Sequence, residues 1–377
     1  MLNMKQKIKT NYKKNVKWVK AFSSSLVLIP GLLFLVSFST KQIRSSSAIK
    51  TAPPDSLLFS FAVAGCNRID KNDMSPSNPS TANVAQLNRT FKDILALKNK
   101  PKYFFFVGDM VIGYVDNDTA LLRTELTAWV ALYEQSGLRQ AGVELVPTSG
   151  NHEVLLGHDK PANADAEKIF LEIMKPYLKN NNGPGVGGPD GLITDQSQLT
   201  YSFDYKNTHF LMLSTDGVEK VSKIPYHWVI NDLKDAKAKG AEHIFALGHK
   251  PAYCYPGEDG LGLYPDERDS FWNALEENHA EAMIAAHNHI YYRAQPDVYK
   301  TYQIVAGNGG SPLSALAASP WQKNFGFVLI EIYQSGKVLL KEYARDIPAD
   351  GYLGDPTNYP TTVRDSTEIT WGKQPGL

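Results

Sequence analysis

The chain has 377 residues, with 39 Lys or Arg, 39 Asp or Glu and a formal net charge of zero at pH 7. The charges are unevenly spread, because residues 1–50 contain ten Lys or Arg and no Asp or Glu, which leaves 29 basic against 39 acidic residues in the remainder. Such an acidic remainder lacks the excess of basic side chains that releases counterions from nucleic acids, so general nucleic-acid binding is excluded. Two cysteines, Cys66 and Cys254, exclude a disulfide framework, although an oxidising compartment permits one bridge.

The first 38 residues have the pattern of an export signal. A long basic region from Lys5 to Lys20 precedes an almost entirely apolar or small stretch from Ala21 to Phe38. This pattern predicts a secretory signal peptide or an uncleaved signal anchor. The pair Pro30-Gly31 and the short apolar length favour a cleaved peptide, whereas the long basic region and the lack of a clear A-x-A site favour an anchor. In either case we expect the protein outside the cytoplasm, periplasmic or secreted, with or without a membrane anchor.

Composition and pattern divide the chain into four parts. They are a signal peptide or anchor at 1–38, a Ser-rich linker at 39–56, a folded domain at 57–345 and a Pro-, Gly- and Thr-rich tail at 346–377 that packs on the domain surface.

Within the domain, short apolar runs predict buried strands, and apolar residues at helical spacing predict helices. The predicted strands lie at 58–64, 102–107, 143–146, 201–205, 209–213, 243–247, 282–286, 302–305, 325–333 and 338–344. The predicted helices lie at 84–97, 119–133, 162–178, 225–238 and 271–278. Alternating strands and helices followed by hairpins predict an α/β fold of two packed sheets with helices outside.

Four of the predicted strands end in side chains of the types that bind metals. In open α/β sheets ligands bind at the carboxyl ends of strands, and carboxylate, amide and imidazole groups ligate hard or borderline metals. One such coincidence is weak evidence, but four in one chain predict a metal site. The four strand ends are Gly108-Asp109, Gly150-Asn151-His152-Glu153, Gly248-His249 and His287-Asn288-His289.

Taken in order, these motifs resemble those of the calcineurin-like metallophosphoesterases, and within them the purple acid phosphatase branch. The family pattern is D-x-H, then G-D, G-N-H-[DE], a lone His and G-H-x-H. The resemblance covers about residues 57–345 and implies a four-layer αββα sandwich, two mixed β-sheets flanked by helices. Further stretches that carry it are Tyr201 to Tyr205, Gly248 to Pro251, His289 to Arg293 and Ala306 to Gly310.

The resemblance also implies a ligand set. One metal site would take Asp109 as a bridging ligand together with Asn151, His249 and His287, and the other would take Asp109, His289 and the Asp and His of the first motif. Two metals about 3.5–4 Å apart would neutralise phosphate oxygens and activate water. The cofactors implied are therefore one or two divalent or trivalent ions, Zn, Mn or Fe.

Two further residues of the motif Gly150-Asn151-His152-Glu153 are candidates for catalytic roles. His152 is the candidate for the general acid or for a contact to the transition-state phosphate. Glu153 is expected to orient His152, as carboxylates behind active-site histidines do. Arg293 is a candidate phosphate contact, although an Arg at a strand end is often simply exposed.

The first motif departs from the family pattern. It reads Gly65-Cys66-Asn67-Arg68, so Cys66 occupies the motif position of the metal-binding Asp and Arg68 occupies that of the His. The Tyr expected three residues after the bridging Asp is Ile112, and Tyr114 comes two positions later.

Three interpretations of Cys66 remain open from the sequence. It is a thiolate ligand to the metal, a partner of Cys254 in a disulfide, or a small buried residue beside a site that holds one metal. Arg68 cannot ligate a metal because it carries a permanent positive charge, but the same charge suits a substrate phosphate. We therefore expect a single metal at Asp109, Asn151, His249 and His287, with Asn67 or Arg68 facing the phosphate.

These observations support a secreted metal-dependent phosphoesterase that hydrolyses a phosphomonoester or phosphodiester with metal-activated water. The alternative is a degenerate relative that binds a phosphate-containing ligand with little turnover. A cell-surface structural or carbohydrate-binding domain is a third hypothesis, which the intact second ligand set disfavours. The partner implied is a small phosphoester, and its identity depends on the loops 71–83, 180–191 and 255–269.

Overall fold

The structure is a computed structural model that describes residues 55–296, 300–314 and 322–372. The predicted signal segment at 1–38 and nearly all of the predicted linker at 39–56 lie outside the described residues. Among the helices that are described, none combines the length and apolar character needed to cross a membrane.

Strands make up most of the framework. In chain order they are β1 (Leu57–Ala64), β2 (Tyr103–Val107), β3 (Glu144–Thr148), β4 (Tyr201–Tyr205), β5 (Thr208–Leu213), β6 (Asp216–Gly217), β7 (Lys220–Val221), β8 (His243–Gly248), β9 (Ala282–Ala285), β10 (Tyr291–Ala294), β11 (Tyr302–Ala306), β12 (Asn324–Tyr333), β13 (Val338–Asp346) and β14 (Thr362–Glu368). The helices are α1 (Val84–Ala96), α2 (Thr119–Gln135), α3 (Asn151–Val154), α4 (Ala164–Met174), α5 (Tyr226–Ala238) and α6 (Pro265–Glu277).

The long strands form two mixed sheets of six strands each. The first sheet has the order β14-β13-β12-β1-β2-β3, and the second has the order β10-β11-β9-β8-β5-β4. Parallel pairing joins β1 to β2 and β2 to β3 in the first sheet. It joins β5 to β8 and β8 to β9 in the second. The carboxyl ends of these parallel strands therefore lie at one edge of each sheet.

An aromatic core holds the two sheets together. Successive residues of β1 face opposite ways, so Phe61 and Val63 belong to the core between the sheets while Ala62 and Ala64 pack against the helices. The ring of Phe61 meets the rings of Phe105, Phe210 and Phe245 at centroid distances of 5.4, 5.2 and 5.1 Å. Burying one such side chain stabilises the fold by about 1.5–3 kcal/mol.

Helices cover the outer face of each sheet. Leu87 and Phe91 of α1, and Trp129 of α2, pack on the first sheet. Leu233 of α5 and Trp272 of α6 pack on the second. The layers are helix, sheet, sheet and helix, which confirms the predicted αββα sandwich.

Strand β3 and the tail differ from the prediction. Strand β3 continues through Pro147, which is tolerated because β3 lies at the edge of its sheet and one side of its backbone needs no partner. The tail beyond residue 345 contributes β14, which pairs with β13 as the opposite edge strand of the first sheet. Part of the tail is therefore a strand of the sheet itself.

Candidate metal centre

Four side chains from the ends of β2, β3, β8 and β9 converge on one point. The Nε2 atom of His249 lies 3.1 Å from Oδ1 of Asp109, 2.9 Å from Oδ1 of Asn151 and 3.2 Å from Nδ1 of His287. Nδ1 of His287 also lies 2.9 Å from the same Asn151 oxygen. Ligand atoms about 2.0–2.1 Å from a tetrahedral ion are about 3.3 Å apart, so these four separations suit donors to one ion.

The electrostatics of the cluster favour a cation. The Nδ1 atom of His249 faces the carbonyl oxygen of Val107 at 2.8 Å, so a neutral ring donates there and turns its Nε2 lone pair toward the oxygens of Asp109 and Asn151. Burial opposes protonation of His249, but the Asp109 carboxylate outweighs burial and raises the pKa of the imidazole. Burial alone would raise the pKa of Asp109, yet His249, His152 and Arg68 hold it well below its usual range. The centre therefore holds an ionised carboxylate and attracts positive charge.

The backbone around the centre adopts a left-handed conformation that residues other than glycine rarely take. Cys66, Asp109 and His287 have φ angles of 56°, 55° and 63°. Left-handed conformations at non-glycine residues cost about 1–3 kcal/mol each and cluster at functional sites. They turn the chain sharply at each strand end, which brings the side chains together.

Two glycines make room for this convergence. A Cβ atom on Gly108 would lie 2.5 Å from Nδ1 of His249, and one on Gly150 would lie 2.4 Å from Oδ1 of Asp109. Both distances are far inside van der Waals contact, so any larger residue would displace a ligand.

Glu153 organises the backbone of the centre. Its carboxylate accepts hydrogen bonds from the N–H groups of Asp109 at 2.9 Å, Met110 at 2.8 Å, Val111 at 3.2 Å and Gly150 at 2.7 Å. Both oxygens are thus engaged by backbone, and the expectation that Glu153 orients the His152 ring is wrong. Burial and the charge of Asp109 raise the pKa of Glu153 to about 7.

His152 is held by other groups. Its Nδ1 atom lies 2.5 Å from the carbonyl oxygen of Ile112, and its ring lies tilted by 31° against that of Tyr114 with centroids 3.9 Å apart. Burial lowers the pKa of His152 to about 3, against the opposing charge of Asp109. The ring is therefore neutral at pH 7 and presents Nε2, 3.9 Å from Oδ2 of Asp109, as an acceptor. A role as general acid needs the negative charge of a bound phosphate to raise this pKa.

Tyr114 is a residue that the sequence did not assign to the centre. Its hydroxyl accepts a hydrogen bond from Nδ2 of Asn151, which directs the amide oxygen of Asn151 toward the two histidines. The contact depends on a φ of 53° at Tyr114, and no local sequence pattern predicts that conformation. Burial raises the pKa of the Tyr114 hydroxyl, so it stays protonated at neutral pH.

The second carboxylate oxygen of Asp109 faces a different environment. Oδ2 lies 3.9 Å from Nε of Arg68 and 4.0 Å from Sγ of Cys66. Within the described residues the Nε atom of Arg68 is buried and has no hydrogen-bond partner. The guanidinium therefore stands beside the oxygen that would bridge to a second metal.

Cys66 is a free, buried thiol next to the cluster. Its sulfur accepts the backbone N–H of His287 at 3.1 Å, and with Asp109 and His249 it forms a group whose ligand atoms lie within 4.8 Å of one another. Cys254 is also a free thiol, so the structure does not contain the bridge between the two. Burial and the charge of Asp109 raise the pKa of the Cys66 thiol.

The remaining predicted residues have partners elsewhere. The amide of Asn67 donates to the carbonyl oxygens of Asn83 at 3.2 Å and Gly309 at 2.9 Å, so its N–H groups are used by the backbone, and the expectation that Asn67 faces the phosphate is corrected. Arg293 forms a two-point ion pair with Asp365, which accounts for its charge without a phosphate.

His289 lies next to this environment but outside the four-residue cluster. Its Nδ1 atom is 2.6 Å from the carbonyl oxygen of Pro312. Burial and the charge of Arg68 lower the pKa of His289 to about 3, so the ring is neutral.

The fold and the cluster define a sandwich protein with a candidate metal centre at its strand ends. The family model for the calcineurin-like phosphoesterases matches residues 73–291, more than half of the chain. The chain belongs to this family, with a divergent first metal motif. No curated protein matches the chain.

The likeness to one solved structure supports the fold. The purple acid phosphatase from yellow lupin (Lupinus luteus) seeds aligns over 82% of this chain and 53% of its own, with 16% identity and a TM-score of 0.53. GAP50, the anchor in the inner membrane complex of Plasmodium, aligns over 84% and 90% with 16% identity and a TM-score of 0.47. Vps29 from Entamoeba histolytica aligns over 82% and 99% with 11% identity and a TM-score of 0.35. The chain spans about half the length of the lupin protein, and at this identity the likeness concerns the fold alone.

Proposed function

We propose that this protein hydrolyses small phosphoesters outside the cytoplasm, with one metal ion at the centre and Arg68 in place of a second. The observation that carries the proposal is that the two carboxylate oxygens of Asp109 face different groups. Its Oδ1 atom joins the cluster of Asn151, His249 and His287, whereas its Oδ2 atom faces Arg68. Family membership supports a metal-dependent phosphoester hydrolase. The different surroundings of the two Asp109 oxygens support a single metal with Arg68 in place of a second.

The four clustered residues would hold the ion. Their nitrogen and oxygen donors suit Zn, Mn or Fe. When bound, a divalent ion supplies a Lewis acid for a phosphate oxygen and lowers the pKa of water.

Arg68 opposes a second ion and attracts a phosphate. Two unit charges about 4 Å apart interact by about 4 kcal/mol at an effective dielectric constant of about 20, so a divalent ion beside the guanidinium would be opposed by about twice that. A phosphate would gain instead, because a guanidinium offers paired donors to its oxygens. Within the described residues the buried Nε of Arg68 has no hydrogen-bond partner, which supports this role.

His152 complements Arg68 at the same oxygen of Asp109, because Nε2 of His152 and Nε of Arg68 each lie 3.9 Å from Oδ2. With Nδ1 engaged by Ile112, the neutral ring can accept a proton or a hydrogen bond at Nε2. Next to a phosphate held by Arg68, that atom is placed to exchange a proton with the reacting groups.

The test is an assay of purified protein loaded with Mn²⁺, Zn²⁺ or Fe²⁺ on a chromogenic phosphomonoester and a chromogenic phosphodiester. Metal-dependent turnover of either supports the proposal. Binding of inorganic phosphate without turnover would instead support the degenerate alternative.

The location outside the cytoplasm rests on the basic and apolar pattern of residues 1–38. Cell fractionation with an antibody against the folded domain tests it. Recovery with periplasmic, secreted or membrane material supports the proposal, and recovery in the cytoplasm contradicts it.

A further inference from the structure

The loop that follows β8 places an exposed carboxylate against one of the metal ligands. Oδ1 of Asp259 lies 2.8 Å from Nε2 of His287, although 83% of the Asp259 side chain is exposed. The opposite nitrogen of the same ring, Nδ1, faces Asn151 and His249 in the cluster. We propose that Asp259 is a positioning residue that keeps the proton of His287 on Nε2 and so leaves Nδ1 free to bind the metal.

The chemistry follows from the two tautomers of imidazole. A neutral ring carries one proton, and the hydrogen bond made by one nitrogen decides whether the other has a free lone pair. A carboxylate at Nε2 stabilises the Nε2–H form and makes Nδ1 a better donor to a metal. Without it, the ring can carry its proton on Nδ1, where the proton would point into the cluster and exclude the ion.

The backbone of the loop holds Asp259 in place despite its exposure. Nδ2 of Asn288 donates to the carbonyl oxygen of Asp259 at 3.1 Å. The N–H of Leu261 donates to the carbonyl oxygen of Pro251 at 2.9 Å. The backbone at and directly after Asp259 is thus anchored, which keeps the residue next to the ring.

Gly260 allows the loop to come this close. A Cβ atom there would lie 2.4 Å from the carbonyl oxygen of Pro251 and 2.6 Å from Sγ of Cys254. A larger residue would lift the loop and with it the carboxylate of Asp259. This gives a second, independent way to break the same contact.

The proposal rests on the proposed metal centre, and the test separates the two. The dissociation constant for Zn²⁺ is measured by competition with a chromophoric chelator for the wild type, Asp259→Ala, Asp259→Asn and Gly260→Ala. Asp259→Ala should weaken Zn²⁺ binding by about 10–100-fold, the usual effect of losing such a partner. Asp259→Asn keeps an acceptor but loses the charge, so its dissociation constant should lie between those of the wild type and Asp259→Ala. Gly260→Ala should weaken Zn²⁺ binding as well.

Glu258→Gln is the matched control. It removes one negative charge from the neighbouring residue of the same loop and should leave the dissociation constant within about twofold of the wild type, because no carboxylate contact to His287 is lost. An equal loss in Glu258→Gln and Asp259→Ala would show a general charge effect and overturn the proposal.

The tautomer itself provides a readout that does not depend on activity. In metal-free protein labelled with ¹⁵N-histidine, the signals of His287 are assigned with His287→Gln. The wild type should show the Nε2–H form, and Asp259→Ala should shift it toward Nδ1–H. An unchanged tautomer, or unchanged Zn²⁺ affinity in Asp259→Ala, contradicts the role of Asp259. A wild type that binds no Zn²⁺ would instead refute the metal centre.

Discussion

At the scale of single residues, Asp109 is the residue on which the proposed chemistry depends. Its Oδ1 atom faces the imidazole of His249, whereas its Oδ2 atom faces the guanidinium of Arg68. Three of its neighbours, Cys66, Arg68 and His152, are therefore open to separate tests by substitution.

Arg68→Ala should raise KM for phosphoesters with little change in bound metal. A hydrogen bond to a charged group contributes about 1.5–3 kcal/mol, which corresponds to a loss of about 10–150-fold. Arg68→Lys keeps the charge without the paired donors and should recover part of the loss. Steady-state kinetics decide the matter, and an unchanged KM in Arg68→Ala would remove the residue from the phosphate site.

Loss of any one of three ligands should abolish both metal binding and activity. Asn151→Ala, His249→Ala and His287→Ala each remove one of four donors around a single ion. Elemental analysis together with the phosphoester assay checks this, and full activity in two of the three variants would contradict the ligand set.

His152→Ala should instead lower turnover while metal content stays nearly intact. Loss of a group that transfers a proton typically costs about 10²–10⁴-fold in rate. Loss of the metal in this variant would show that His152 is a ligand.

At the scale of elements, Glu153 ties the loop after β2 to the start of α3. Glu153→Ala leaves four buried N–H groups without their acceptor. An unsatisfied buried group costs about 1–3 kcal/mol, so the variant should unfold at a clearly lower urea concentration and bind metal weakly. Glu153→Gln, which keeps one acceptor oxygen, should lose less. Equal stability of wild type and Glu153→Ala would contradict this role.

A second link between elements depends on pH. The buried ring of His209 on β5 lies 2.7 Å from a carboxylate oxygen of Asp204 on β4 and 2.9 Å from one of Asp232 on α5. Burial opposes its charge, but the two carboxylates outweigh burial and raise the pKa of His209.

The stabilisation by His209 is thus complete below its unfolded pKa of about 6.5 and is lost as pH rises through the higher folded value. Urea unfolding at pH 6 and pH 8 should show a larger loss of stability in the wild type than in His209→Gln, whose amide does not titrate. A wild type whose stability rises with pH relative to the variant would show that the sign is wrong.

The elements also show what the sequence can and cannot predict. The positions of Asp109 and His249 follow from apolar runs that end in polar residues, because both the strand and its end are local features. Glu153, Tyr114 and Asp259 act on groups distant in the chain or through unusual backbone angles, and local patterns carry no trace of such contacts. Sequence therefore predicts well which side chains meet at the strand ends, and predicts poorly the residues that position them.

At the scale of the whole molecule, the sandwich brings two sheets together so that candidate ligands from both meet at one centre. Asp109 and Asn151 follow strands of the first sheet, whereas His249 and His287 follow strands of the second. Metal binding should therefore stabilise the packing of the sheets as well as the loops. With Zn²⁺ at about 100 times its dissociation constant, the free energy of unfolding should rise by about 2.7 kcal/mol. Thermal unfolding with and without Zn²⁺ checks this, and an unchanged melting temperature would contradict binding to the folded state alone.

The most direct test of the account is the number of metal ions bound per chain. Elemental analysis of the wild type and of Cys66→Ser, after loading with Zn²⁺ and removal of free metal, measures it. We predict one ion per chain in both, because Arg68 opposes a second ion and Cys66 is not required as a ligand. Two ions in the wild type, falling to one in Cys66→Ser, would show that Cys66 binds a second metal and would contradict the account.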